Sequence, residues 1–208
     1  MIIYSKEIII NKIHNEFLIS KKKLLIVSIA GLSRSGKTTL SKDISKFLDS
    51  KNIRNEIMSL DSWIIDIRKR KINSTVLERY EMNEIENSIY QAANGMLVKC
   101  PKYVSVSRKR IKNSYSKLIK IDEGVLIIEG VISLIRKSFF QFSDFRIFVE
   151  IRDVLRIKRL IEFYRDKKKI SKKKYKKIII SREAEEKKNI MNSKKNTNYI
   201  LSLQTNFL

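Results

Sequence analysis

The chain has 208 residues, 45 Lys and Arg against 22 Asp and Glu, a formal net charge of +23 and a single cysteine, Cys100. A hydrophobic share of 43% excludes an unfolded basic tail, and this length can bury a core without disulfides or metal staples. No run approaches the ~18 uncharged apolar residues of a membrane span, and Lys6, Glu7, Lys12, His14 and Glu16 interrupt the first apolar stretches. Neither a membrane anchor nor a signal peptide is therefore expected, and the expected compartment is the reducing cytosol.

The charge points first to nucleic acid. A second explanation competes with it. The chain holds 35 Ile, 31 Lys and 14 Asn but only 4 Ala, 5 Gly and 1 Pro. Ile, Lys and Asn share A/T-rich codons, so coding bias explains the whole pattern, whereas selection for phosphate contact explains the lysines alone and would favour Arg.

Taken in chain order, residues 5–19 place Ile9, Ile13 and Phe17 at four-residue spacing, which predicts a helix. Residues 24–30 form a compact apolar run of the kind found in a buried parallel strand. A loop is expected over 31–36. Residues 37–48 then carry Leu40, Ile44, Phe47 and Leu48 on one helical face. A short strand is expected at 56–60, and a largely helical stretch over 76–98 that ends near Gly95. Further strands are expected at 125–128 and 146–151. Val154, Ile157, Ile161 and Tyr164 make a helical stripe, and 198–203 fit a closing strand. Strands alternating with helices predict an α/β fold. No repeat and no Gly/Ser/Pro linker divides the chain, so a single domain over 1–208 is expected. It has an N-terminal helix within 1–22 and a basic helical region over about 152–188.

The loop reads Gly31-Leu32-Ser33-Arg34-Ser35-Gly36-Lys37-Thr38, the G-x-x-x-x-G-K-[ST] pattern, entered by a strand and left by a helix. Its glycines let backbone N–H groups close on phosphate, and the helix N-terminus adds a positive dipole end. Gly31, Ser33, Arg34, Ser35, Gly36, Lys37, Thr38 and Thr39 are thus the expected nucleotide-binding residues. Lys37 would sit on the β/γ-phosphates, and the Thr38 hydroxyl would join Mg²⁺, which prefers oxygen ligands. The expected fold is then a P-loop NTPase three-layer sandwich: about five mostly parallel strands, helices on both faces and a basic helical region.

Two carboxylates stand at strand ends, where ligands bind in open α/β sheets. Asp61 could orient an acceptor hydroxyl and take its proton, or cap a helix beginning after it. Trp63 could stack on an acceptor or fill the core. Glu129 ends the apolar run 125–128 as a Mg²⁺ partner would, with Asp61 as a further candidate.

These motifs resemble the uridine kinase / phosphoribulokinase family of P-loop kinases. The resemblance runs from about Leu24 to Leu203. It rests on the P-loop, on Leu60-Asp61-Ser62-Trp63, on Leu126-Ile127-Ile128-Glu129-Gly130-Val131, and on 146–150 with the basic helix after it that ends in Arg165-Asp166. It implies transfer of phosphate from ATP or GTP, with Mg²⁺, to a hydroxyl of a small molecule. It implies catalytic roles for Lys37 and Asp61 and for a lid arginine, Arg165 or Arg182. Tyr103, in Pro101-Lys102-Tyr103, resembles the start of the acceptor-binding segment, and Glu81 sits where the family contacts a ribose. The chain departs from the uridine kinases after Tyr103: Val104-Ser105-Val106-Ser107-Arg108 replaces the expected Asp-Phe and a nearby His. A sugar or sugar phosphate therefore competes with a nucleoside as acceptor, and Arg108 is a candidate contact to it.

Two stretches concentrate the charge. Residues 152–188 hold 16 basic and 6 acidic side chains, and 108–120 hold six basic and no acidic ones. They read as an electropositive rim steering nucleotide, or as a solvated face. A nucleic-acid surface is the less favoured alternative, because aromatic residues for base stacking are sparse there. The remaining alternatives are a non-enzymatic nucleotide-dependent nucleic-acid binder and a kinase acting on a sugar nucleotide.

Overall fold

A computed structural model describes residues 3–71 and 74–203. At its centre lies a six-stranded sheet of β1 (Ile3–Tyr4), β2 (Leu24–Ala30), β3 (Asn55–Ser59), β6 (Gly124–Glu129), β7 (Phe145–Ile151) and β8 (Tyr199–Leu203). Their order is β1-β8-β7-β2-β6-β3, and every pairing is parallel. The expectation of about five strands falls one short, because the two-residue edge strand β1 carries no readable pattern.

Alternation along the strands builds two cores. Leu25, Val27 and Ile29 of β2, with Val125 and Ile127 of β6, face helices α1 (Lys6–Ile19) and α2 (Lys37–Ser50) through Ile9, Ile13, Leu40, Ile44 and Leu48. Ile26, Ala30, Leu126 and Ile128 face the opposite layer, including Ile85 and Ile89 of α3 (Met82–Ala93) and Phe139 of α4 (Lys137–Phe140). Sheet residues that read as unbroken apolar runs are thus covered on both sides, as a parallel sheet requires. The result is the expected three-layer α/β sandwich.

An antiparallel hairpin, β4 (Val98–Val104) and β5 (Lys109–Ile119), stands outside this sheet. Val98, Cys100 and Ile119 anchor its base in the core. Beyond β7, helix α5 (Asp153–Glu162) runs into a π-helical turn, Phe163–Lys167, and then helix α6 (Lys172–Asn192). Leu160, Tyr164, Tyr175 and Ile179 form a separate small core between them. This is the basic helical region expected over 152–188.

Among the described residues, no helix is long and apolar enough to cross a membrane.

Candidate active site

Neighbouring strands send their chain crossings in opposite directions at β2, so a crevice opens at its carboxyl end. The P-loop fills that position. Gly31 has φ +143°, and a Cβ there would lie 2.2 Å from the carbonyl oxygen of Val149. Gly36 has φ +111° and starts α2 with no side-chain cap. The glycines therefore do more than admit phosphate: they let the loop dock on the end of β7. The uncapped amides at the start of α2 remain available to an anion.

Lys37 is buried, and its ammonium donates to the carbonyl of Leu32 at 3.0 Å. Burial pushes its pKa down, partly offset by the nearby Glu129 and Asp61 carboxylates. Glu129 is buried at the end of β6, in register with Ser59 at the end of β3. The Ser59 hydroxyl donates to its Oε1 at 2.6 Å, and the Thr38 hydroxyl donates to its Oε2 at 3.3 Å. Burial raises the pKa of Glu129 above the ordinary 4.5, and the Asp61 charge adds to the shift. Both carboxylates thus share a small volume with one lysine.

Asp61 lies in a 3₁₀ turn, Leu60–Trp63, directly after β3. Tyr80 donates its hydroxyl to Asp61 Oδ1 at 3.1 Å. The other oxygen accepts no hydrogen bond among the described residues. Backbone pairing between Trp63, Ile65 and the 79–81 segment fixes this turn.

An open cleft of about 890 Å³ connects these groups. Of the residues expected from the sequence, Ser33, Arg34, Gly36, Lys37, Thr38, Thr39, Asp61, Tyr103, Arg108 and Glu129 line it; Gly31, Ser35, Trp63, Glu81 and Arg165 do not. Trp63 is 1% exposed and belongs to the core, so it offers no face to an acceptor. Glu81 is the N-cap of α3, and its carboxylate lies 3.9 Å from the Arg110 guanidinium. Arg165 pairs with Asp166 and its side chain is 61% exposed. Arg182 lies in α6, and its side chain falls outside those described. The sequence reading missed Ser59, Ser62, Ser116, Arg159, Phe163 and Lys168, although all line the cleft. Ser59 could have been found from the rule that named Glu129, because both end adjacent strands.

The acceptor side of the cleft is built by the hairpin. Ser116 donates to the carbonyls of Cys100 and Pro101 and lies 3.4 Å from the Ser62 hydroxyl. Arg70 donates to the Tyr103 hydroxyl at 2.9 Å. The buried Asp66 carboxylate accepts from the backbone N–H of Arg110, and the Arg108 carbonyl accepts from the N–H of Ile67. These bonds hold the hairpin over the cleft.

The residues present fit a magnesium nucleotide. Thr38, Ser59, Glu129 and Asp61 supply hard oxygen donors of the kind Mg²⁺ takes while keeping several waters. Among the described residues, no three His, Cys, Asp or Glu side chains gather as a metal cluster, so the donor set here is two carboxylates and two hydroxyls.

The model of the phosphoribulokinase / uridine kinase family matches residues 26–204. The chain belongs to that family. Its members are phosphotransferases acting on hydroxyl groups. It is 27% identical over 146 residues to uridine-cytidine kinase B of Dictyostelium discoideum, covering 67% of this chain and 58% of that protein. It is 28% identical over 148 residues to the uridine kinase of Lactobacillus helveticus, covering 68% of each. A solved structure of a "possible uridine kinase" from Bacillus stearothermophilus shares the fold, with a TM-score of 0.65 at 21% identity, over 94% of this chain and 96% of that one. The match thus spans between somewhat over half and about two thirds of the curated relatives' length.

Proposed function

We propose that this protein transfers the terminal phosphoryl group of ATP to a hydroxyl of a small polyhydroxylated molecule, a nucleoside or a sugar. The observation that carries the reading is the convergence of Lys37, Thr38, Asp61 and Glu129 from three strand ends on one cleft.

Lys37 and the open amides of α2 bind and orient the phosphates. Thr38 and Glu129, steadied by Ser59, would hold Mg²⁺, which when bound neutralises charge on the phosphate oxygens. Asp61 faces the acceptor. Tyr80 occupies one of its oxygens, which aims the other at an incoming hydroxyl. The acceptor oxygen forms a bond to the γ-phosphorus as the bond to the β–γ bridging oxygen breaks. The electron pair stays on ADP, and the acceptor proton passes to Asp61. Ser62, Ser105, Ser116, Tyr103 and Arg108 line the acceptor end with hydroxyls and a cation, which suits a substrate rich in hydroxyl groups.

The curated relatives are named for uridine and cytidine, which keeps nucleosides in the candidate class. The test is ADP formation from ATP, and separately from GTP, against a panel of nucleosides, sugars and sugar phosphates. Acceptor-dependent turnover with at least one member is expected. Nucleotide binding with no acceptor-dependent ADP across the panel would overturn the reading.

A further inference from the structure

Phosphoryl transfer needs positive charge on the transferring group beyond the P-loop lysine. Several arginines around the cleft are already paired with carboxylates, and Arg159, which lines it, donates to the Arg34 carbonyl. Arg165 is paired with Asp166, and its side chain is 61% exposed. Arg156 is 2% exposed and locked between Glu183 and Asp153. Arg110 pairs with Glu84.

Arg34 is different. It lies inside the P-loop in a left-handed backbone conformation, φ +67°. Its guanidinium carbon sits 3.6 Å above the centre of the Phe163 ring, at the start of the π-helical turn. Its carbonyl accepts a long bond from Arg159 at 3.5 Å. Among the described residues its guanidinium makes no hydrogen bond to a carboxylate or a carbonyl. A ring stacked on one face takes none of the in-plane N–H donors. The group lines the same cleft as Lys37, Asp61 and Glu129, and burial lowers its pKa while Tyr164 and Asp61 pull it back up.

We propose that Arg34 is a catalytic residue, stabilising charge on the transferring phosphoryl group, and that Phe163 is the positioning residue that seats it. The inference rests on the kinase reading. Arg34 and Lys37 then bracket the γ-phosphate from two directions, while Asp61 faces the acceptor. Because Phe163 belongs to the lid region, docking of that region against the P-loop sets the arginine. The ring also replaces solvent on one face of the cation, so its donors are fixed before reaction begins.

The test uses the whole chain and four variants: Arg34→Gly, which tolerates the positive φ, Arg34→Lys, Phe163→Leu and Phe163→Tyr. Thermal melting confirms that each folds. Affinity is measured by calorimetry for magnesium ADP alone and for magnesium ADP with aluminium fluoride, which mimics the transferring group. ADP affinity is expected to stay within about threefold in every variant, since Arg34 serves the transferring group and not the α- and β-phosphates. Affinity with aluminium fluoride should fall about 100-fold in Arg34→Gly. Lysine should restore little, because its ammonium cannot stack and fork. Phe163→Leu should lose roughly tenfold, and Phe163→Tyr should stay near the parent, which keeps the ring face. With an active acceptor, kcat should track the aluminium fluoride series while the KM for ATP moves little.

Equal loss of ADP affinity in Arg34→Gly would reduce Arg34 to a ground-state phosphate contact. No loss with aluminium fluoride would remove it from catalysis. A parent protein that transfers no phosphate to any acceptor sinks the kinase reading, and the aluminium fluoride series still decides Arg34 separately. A parent that binds ADP no tighter with aluminium fluoride overturns the proposal.

Discussion

The site holds its charges under tension. Glu129 is buried beside Asp61, and its proton affinity in the folded chain exceeds that of an exposed glutamate. The folded state thus binds a proton more tightly than the unfolded state. Its contribution to stability is most favourable below the ordinary value of 4.5 and declines as pH rises through the folded value. Glu129→Gln removes that penalty and keeps an amide that can accept from Ser59. At pH 7 without nucleotide, the variant should melt at higher temperature than the parent, and the gap should shrink toward pH 4. Thermal melts across that range check the sign; a variant less stable at pH 7 would show that the carboxylate is a net stabiliser. The same substitution should remove Mg²⁺-dependent turnover, a trade of activity for stability common at active sites. Asp61→Asn tests the proton acceptor. It keeps the Tyr80 bond, so ATP affinity should hold within about threefold while turnover falls by about 10² or more. Unchanged turnover would sink the role of Asp61. Their place in one cleft was readable because they follow apolar strands or occupy the P-loop. The stacking of Arg34 on Phe163 was not, because the two lie far apart along the chain.

At the scale of elements, the regular sandwich and the basic helical region were legible, and the hairpin of β4 and β5 was not. Strands β2, β6 and β7 announce themselves as apolar runs because both their faces are covered. The β5 strand is mostly exposed, reading Lys109 to Ile119 with only its last residue buried. It shows no alternation, and its basic side chains looked like a charge run. The turn at Phe163–Lys167 misled in another way. A π-helical turn carries an extra residue, which rotates the residues after it out of α-helical phase. Asp166 and Lys168 line the cleft while Arg165 does not. What holds this region is a clamp. Arg156 donates to Glu183 Oε1 at 2.8 Å and to Asp153 Oδ1 at 3.1 Å, joining α5 to α6. Arg79 bonds to Glu185 and Glu186, tying α6 to the segment that carries Tyr80. Removing Arg156 leaves Glu183, whose side chain is 27% exposed, without its partner, while Asp153 keeps Lys187. Arg156→Met should therefore cost about 1–2 kcal/mol in equilibrium urea unfolding, below the range for a fully buried pair because water still reaches the carboxylate. Adding Glu183→Leu should recover most of it, because an apolar pair of similar size replaces the ion pair. A single variant costing under about 0.5 kcal/mol, the level of an ordinary surface change, would show that α5 and α6 stand without the clamp.

For the molecule as a whole, the net charge has a consequence independent of function. Every one of the 22 acids could be paired and 23 positive charges would still remain. Several ion pairs are surface contacts, such as Lys6–Asp43 and Arg54–Asp122, each contributing little. Repulsion among the surplus cations acts on the compact state more than on the expanded chain. Added salt screens both effects, with a Debye length near ~30 Å at 0.01 M and ~8 Å at 0.15 M. Because repulsive pairs outnumber attractive ones over most of the surface, screening should stabilise the fold. The melting temperature without nucleotide should rise by several degrees between about 0.01 and 0.3 M sodium chloride, since ~1 kcal/mol moves a domain of this size by ~2–4 °C. Sodium chloride suits the test better than sulfate, because a divalent anion can occupy the P-loop and stabilise by binding. A fall over the same range would mean that local ion pairs outweigh the net charge. The same screening should slow association of ATP, whose negative charges are drawn by the cleft's cations, and leave turnover at saturating ATP nearly unchanged.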